Sequence, residues 1–265
     1  MHLIIKIKSF PEIVHEFTPQ DCVAFDLDET IFTHKMKVLR AINMSERKKF
    51  LFDVKKEIGE AKYWYLFDKL PFMVVEDSVK LFIESLHEKK VETIGFTARR
   101  TGKWTKYCPR TVQDKTINIL KDLNIAFNPI HFEDYVIVGA NTNNTEYANQ
   151  IVEMGMDEYE IKDDAMIKSN IIFTNNINKG LILSKIFEKF RFIPDTFVLI
   201  DDKEDNLIAL IEAINEINKN YNTNIKFIGY HYTGAKDLLD NNIDFQIIEL
   251  QKRKLIEESY YFFNE

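Results

Sequence analysis

The sequence predicts an α/β fold, a parallel sheet sandwiched by helices, with a small helical unit inserted after the first strand of the core. Three observations carry this. Short apolar runs bounded by polar turn residues, at Cys22 to Phe25, Val91–Thr97, Ile171–Phe173, Thr196–Ile200 and Asn224–Gly229, read as buried strands. Amphipathic stretches alternate with them, so that each strand is followed by a helix able to cover the sheet. Three of the strands end in polar groups, Asp26/Asp28, Thr97 and Asp201/Asp202, which such a sheet brings to one edge.

In chain order, Leu3–Ile7 offers a strand ahead of a linker. Cys22 to Phe25 then runs into Asp26. From Ile31 to Phe72 the pattern turns helical, around Val38 and Ile42 and again from Phe50 to Ile58, before the aromatic run Tyr63-Trp64-Tyr65-Leu66-Phe67 and Pro71. Residues 35–72 are therefore read as a helical insertion, with residues 1–34 and 73–265 forming the core. The aromatics fit the interior of that insertion better than a ligand platform. Glu76–Lys90 places Val79, Phe82, Ile83 and Leu86 on one helical face, with acids at its start and lysines at its end. Thr111 suits an N-cap for a helix carrying Val112, Ile119, Leu120 and Leu123. Asn124–Phe127 reads as a short strand. Residues 128–168 lack sustained periodicity and form a second, irregular insertion. Helices carrying Leu183, Ile186, Phe187 and Phe190, then Leu207, Leu210, Ile211, Ile214 and Ile217, follow the next two strands, and 249–259 reads as a C-terminal helix.

Composition bounds the function. With 265 residues, 45% of them hydrophobic, the chain can bury a substantial core. Its 35 basic and 42 acidic residues give a net charge of −7. That argues against a general nucleic-acid or membrane-surface partner and requires any phosphate site to be locally positive. Two cysteines, one of them in the core strand, indicate no disulfide framework, and no signal sequence or membrane-length apolar run is present. The expectation is a soluble, cytoplasmic protein.

Two carboxylates at a strand end repel each other unless a cation or a shared proton relieves them. A carboxylate can accept a phosphoryl group and release it to water, given a cation for the phosphate oxygens, an acid for the leaving group and donors around the phosphate. The chain offers one candidate for each part. Asp26 is the nucleophile and Asp28 the acid/base; Thr97 and Lys179 hold phosphate; Asp202 completes a site of hard oxygen ligands suited to Mg²⁺. Arg99 and Arg100 are open between solvated loop charges and substrate contacts. His34, His87, His131 and His231 have no ligand spacing and receive no metal.

The segments Asp26-Leu-Asp-Glu-Thr30, Phe96-Thr-Ala-Arg99, Asn178-Lys-Gly180 and Ile200-Asp-Asp-Lys-Glu-Asp-Asn206, in that order, resemble the four motifs of the haloacid-dehalogenase-like (HAD) hydrolase superfamily. The run Gly229-Tyr-His-Tyr-Thr233 and the acidic 128–168 stretch further resemble an uncharacterised bacterial branch of it. The resemblance implies a Rossmann-like core, with residues 35–72 as a cap over the site. It implies that Asp26 attacks phosphorus and binds Mg²⁺, that Asp28 protonates the leaving group and offers its backbone carbonyl to the metal, and that Thr97 and Lys179 bind phosphate. Asp202 falls on the metal ligand and Asp201 behind it as a support, the reverse assignment being open; Asn206 replaces a distal aspartate. Asp28 with Thr30 resembles the phosphatases. The expected activity is Mg²⁺-dependent hydrolysis of a small or medium phosphomonoester through an aspartyl-phosphate. The alternatives are phosphoryl transfer from the same site and a non-catalytic binding module.

Overall fold

The computed structural model describes residues 2–40, 44–128, 132–137, 164–238 and 244–263. Why the core strands read as continuous apolar runs is visible in β2 (Cys22–Phe25), whose four residues are all buried. Cys22 and Ala24 face one hydrophobic layer, Val23 and Phe25 the other. The same alternation holds in β9 (Thr196–Asp201): Phe197 and Leu199 on one side, Val198 and Ile200 on the other. A strand covered on both faces has no solvent side to leave polar.

The layers are built as the helical patterns require. One face carries α3 (Ser78–Glu88) through Val79, Ile83 and Leu86, and α4 (Val112–Asp122) through Ile119 and Leu120. The other carries α5 (Lys179–Phe190) through Ile182, Leu183, Ile186 and Phe187, and α6 (Glu204–Tyr221) through Leu207, Leu210, Ile214 and Ile217. The Thr111 hydroxyl caps α4 by accepting the Asp114 N–H at 3.1 Å.

Between these layers, the described strands form a sheet in the order β1-β10-β9-β2-β5-β8-β7-β6. Here β1 is His2–Ile7, β5 Glu92–Thr97, β6 Tyr135–Ile137, β7 Ala165–Lys168, β8 Ile171–Phe173 and β10 Lys226–Tyr232. From β1 to β8 the pairing is parallel; β7 and β6 join antiparallel at one edge. The fold is thus α/β and Rossmann-like. Among the described residues no helix is long and apolar enough to cross a membrane.

The helical insertion enters and leaves through an antiparallel ribbon, β3 (Phe32–His34) against β4 (Phe72–Val74). It contains α1 (Met44–Ile58) and α2 (Glu60–Lys69), joined at Gly59, whose φ of 83° is one that side-chain-bearing residues rarely adopt. Phe50, Val54, Tyr63, Trp64 and Leu70 form its interior together with Cys108 and with Leu255 of the C-terminal helix α7 (Phe245–Phe263). Val38 N–H donates to Gln251 at 3.2 Å, and Lys252 lies 3.7 Å from Glu57. The C-terminal helix therefore packs on the insertion, an association that local periodicity does not encode.

Several local expectations differ. Asn124–Phe127 is not a strand: Ile125 and Phe127 plug the core, with Phe127 stacked on Phe25 at 5.7 Å. The helix expected around Val38 is a 3₁₀ turn, Lys37–Arg40, and Ile42 lies outside the described residues, as does most of 128–168. The C-terminal helix is longer than the expected 249–259. Strands β3, β4, β6 and β7 are not among the expected ones: they lie within or beside the two insertions and, unlike Cys22–Phe25 and Ile171–Phe173, are not fully buried apolar runs.

Candidate active site

Asp26 stands one residue past β2 and still belongs to the sheet, its N–H donating to the Ile200 carbonyl at 2.9 Å. Since β9 is the neighbouring strand, this register sets Asp26 beside Asp201. Lys179 arrives from the other direction, as the first residue of α5. The Asn178 side chain caps that helix by accepting the Leu181 N–H at 3.1 Å. Gly180 lets α5 lie directly on α6: a Cβ there would collide with the Ala209 carbonyl. Ahead of the helix, Asn175 and Asn176 hold φ near 55° and 58°, and their N–H groups donate to the carbonyls of Arg99 and Ala98. Asparagine tolerates that left-handed backbone better than most residues.

The result is a buried ammonium between two buried carboxylates. Lys179 Nζ lies 2.7 Å from Asp26 Oδ1 and 2.6 Å from Asp201 Oδ2. Burial works against its charge, and the two carboxylates outweigh that and hold its pKa above the usual lysine value. Asp201, fully buried, is saturated: Oδ1 accepts the Lys203 N–H at 2.9 Å, and Asn206 Nδ2 donates to both oxygens at 2.9 and 3.0 Å. Asn206, in the place of a distal aspartate, thus acts as a donor and adds no negative charge.

Asp202 is less buried and completes a group of three carboxylates, Asp26, Asp201 and Asp202, with oxygens within 4.8 Å of one another. Three acids face one ammonium. Burial raises the Asp26 carboxyl well above its usual range; Lys179 opposes this, and Asp201 and Asp202 add to it. Burial, then Asp201, pushes Asp202 up to about 6. This under-neutralised set of hard oxygens fits a divalent cation such as Mg²⁺. Because Asp201 spends its lone pairs on Lys179, Asn206 and Lys203, the oxygens left for a metal are those of Asp26 and Asp202.

Asp28 is held elsewhere. The turn from Leu27 to Phe32 is tight, with Ile31 and Phe32 N–H groups both donating to the Leu27 carbonyl and Glu29 at a φ of 59°. It presents Asp28 to Arg99, whose guanidinium grips both carboxylate oxygens at 2.7 Å. Burial disfavours ionisation of Asp28, and Arg99, by charge and by hydrogen bonds, outweighs it and holds the carboxyl below its usual range. Asp28 is therefore an ionised, paired carboxylate in this arrangement, close enough to Asp202 for the two to repel.

Thr97 ends β5 next to the site, buried, its hydroxyl accepting the Arg99 N–H at 3.2 Å. Arg100 is buried, its guanidinium 4.8 Å from the Trp104 ring centre. His231 Nε2 is 3.2 Å from the Asp202 carbonyl, while His131 lies outside the described residues. The structure thus brings together Asp26, Lys179, Asp201 and Asp202. It adds Arg99 as the partner of Asp28, a role whose only trace in the sequence is a cation two residues after Thr97.

Over 112 residues, 41% of its length, the chain is 30% identical to an uncharacterised protein of Rickettsia felis (strain ATCC VR-1525 / URRWXCal2). Over 84 residues, 32% of its length, it is 31% identical to an uncharacterised protein of Rickettsia prowazekii (strain Madrid E). These alignments span 36% and 26% of the two relatives. No solved structure matches the chain significantly. Residues 6–259 match the family described as "Protein of unknown function (DUF2608)", and the chain belongs to that family.

Proposed function

We propose that the protein is a Mg²⁺-dependent phosphomonoester hydrolase of the HAD type that works through an aspartyl-phosphate. The observation that carries this reading is the Asp26–Lys179–Asp201 bridge at the carboxyl edge of the parallel sheet, with Asp202 beside it. Lys179 holds Asp26 Oδ1 and leaves Oδ2 to act as nucleophile. Attack on phosphorus forms the Asp26–phosphate bond as the bond to the leaving oxygen breaks. Release of Arg99 would let Asp28 take up a proton from solvent and pass it to that oxygen; the carboxylate so regenerated takes the proton of the attacking water in the second step, which restores Asp26 and frees inorganic phosphate. A Mg²⁺ held by Asp26, Asp202 and the Asp28 carbonyl would neutralise the phosphate oxygens. Lys179, with the Thr97 hydroxyl at the adjoining strand end, would hold the anion.

The substrate class is a small or medium phosphate ester rather than a nucleic acid or membrane. A cytoplasmic setting accords with the two buried free thiols, Cys22 and Cys108. The test is phosphate release from p-nitrophenyl phosphate with Mg²⁺, followed by acid quench and peptide mass spectrometry. Phosphate on Asp26, and loss of turnover in Asp26→Asn, are expected. Phosphate on a Ser, Thr or His, or near-normal turnover in Asp26→Asn, refutes the mechanism.

A further inference from the structure

A second group of charges lies beside Asp28, where the β3–β4 ribbon leads into the helical insertion. Its centre is the Phe72 ring. The His34 ring lies 4.3 Å from it, the Arg99 guanidinium 5.5 Å and Lys115 Nζ 5.8 Å. Arg99 also covers Phe32 at 4.8 Å, and Lys115 covers Phe67 at 4.4 Å. Lys115 is only 7% exposed, and its ammonium donates to the Phe67 carbonyl at 2.6 Å. The acid that acts on it, Asp68, is already engaged by Arg110 at 2.7 Å.

Burying an ammonium on aromatic faces without a carboxylate is costly. Burial, then Arg99, lowers the Lys115 pKa to about 7. His34 is kept neutral by burial and by Arg47, Lys115 and Arg99. Arg47 also acts on Asp28. Arg99 and Arg47 thus act on Asp28, and Arg99 acts also on Lys115, whose ammonium is held by a carbonyl and two aromatic rings, in a protein of net charge −7. These cations stand on the side where the group protonated by Asp28 would emerge. The Arg99 fork that now grips Asp28 has the geometry that carboxylates and phosphates use. Asp28's side chain is 46% exposed, so solvent reaches the pair.

We infer that Arg99, backed by the buried charge of Lys115, binds an oxyanion carried by the leaving group, so that the preferred substrates are phosphomonoesters whose alcohol portion bears a carboxylate or a second phosphate. This rests on the phosphomonoester reading of the Asp26 site.

The test compares pairs of probes: glycerol 3-phosphate with 3-phosphoglycerate, and fructose 6-phosphate with fructose 1,6-bisphosphate. Binding is measured by calorimetry on the full chain carrying Asp26→Asn with Mg²⁺, and kcat/KM on the unmodified protein. One charged probe of a pair should be favoured by about 10- to 100-fold, the value of a charged hydrogen-bonded contact. The favoured pair tells carboxylate from phosphate. Arg99→Met should bring that ratio to near unity and Arg99→Lys should leave part of it. Lys115→Met, an apolar replacement of similar shape, should lower it too and keeps the test readable if Arg99→Met does not fold. Equal binding of charged and neutral probes, or a ratio that survives Arg99→Met, overturns the inference. Turnover without charge preference leaves the hydrolase reading standing and removes only the oxyanion site. An Arg99-dependent binding preference with no turnover of any ester does the reverse.

Discussion

Replacing Lys179 by methionine removes the ammonium and keeps most of the side-chain volume. What remains is Asp26 facing Asp201, with side chains 8% and 0% exposed and no cation between them. Breaking a buried ion pair by deleting one partner costs about 3–5 kcal/mol, because the other charge stays buried. In a chain of this size that lowers Tm by about 6–20 °C. The loss should depend on pH in a definite sense. The folded-state pKa of Asp26 is already raised, and Lys179 is the influence that holds it down. Without Lys179 it rises further, so the folded variant takes up a proton more readily than the unfolded chain. Its deficit is therefore largest at neutral pH and shrinks as pH falls through that raised pKa. Urea unfolding in chelator at pH 7 and pH 5 reads both effects. The double variant Lys179→Met/Asp201→Asn, with one unpaired charge fewer, should be more stable than Lys179→Met alone. A single variant within about 0.5 kcal/mol of wild type at pH 7, indifferent to pH, would show that the bridge carries no energy and refute the reasoning.

Asp202, raised from 3.8 to about 6, contributes stability that is present below pH 4 and lost as pH rises through about 6, up to about 3 kcal/mol; stability of the metal-free protein should fall over that window. Mg²⁺ at 100 times its Kd should restore about 2.7 kcal/mol at pH 7, and a melting curve indifferent to Mg²⁺ counts against a metal at Asp26 and Asp202. Gly180→Ala places a methyl against the Ala209 carbonyl and should cost about 1–3 kcal/mol while displacing Lys179, so activity should fall with stability; a silent variant would mean α5 and α6 can separate freely. Trp64→Ala, at a position 4% exposed, should cost about 3–5 kcal/mol and leave the ranking of substrates unchanged; a changed ranking at intact stability would place Trp64 on the substrate instead.

The sheet and its polar edge follow from local demands of the chain. Cys22 to Phe25 and Phe197 to Ile200 are buried on both faces and so are written without polar positions, while the helices between them need one apolar stripe each. Those are local, periodic demands, and they end in Asp26, Thr97 and Asp201, buried polar groups at the strand ends, where partners from the following loops and helices can reach them. The spacing of Asp26 and Asp28, and the order in which Lys179 and Asp201–Asp202 follow, were legible for the same reason. The tertiary structure alone decided the pairings across the chain. Lys179 meets Asp26 across 153 residues, and nothing near either one says whether the lysine faces water or carboxylates. That Asp201 and not Asp202 has its oxygens saturated depended on Asn206, Lys203 and Lys179 converging on Asp201. Arg99 could have been a solvated loop charge; the tight turn at Leu27 and the rings of Phe32 and Phe72 turn it onto Asp28. The seating of the C-terminal helix on the insertion, through Leu255, was likewise decided in space. Periodicity reports which face of a segment is buried, and only contact between distant segments settles what buries it.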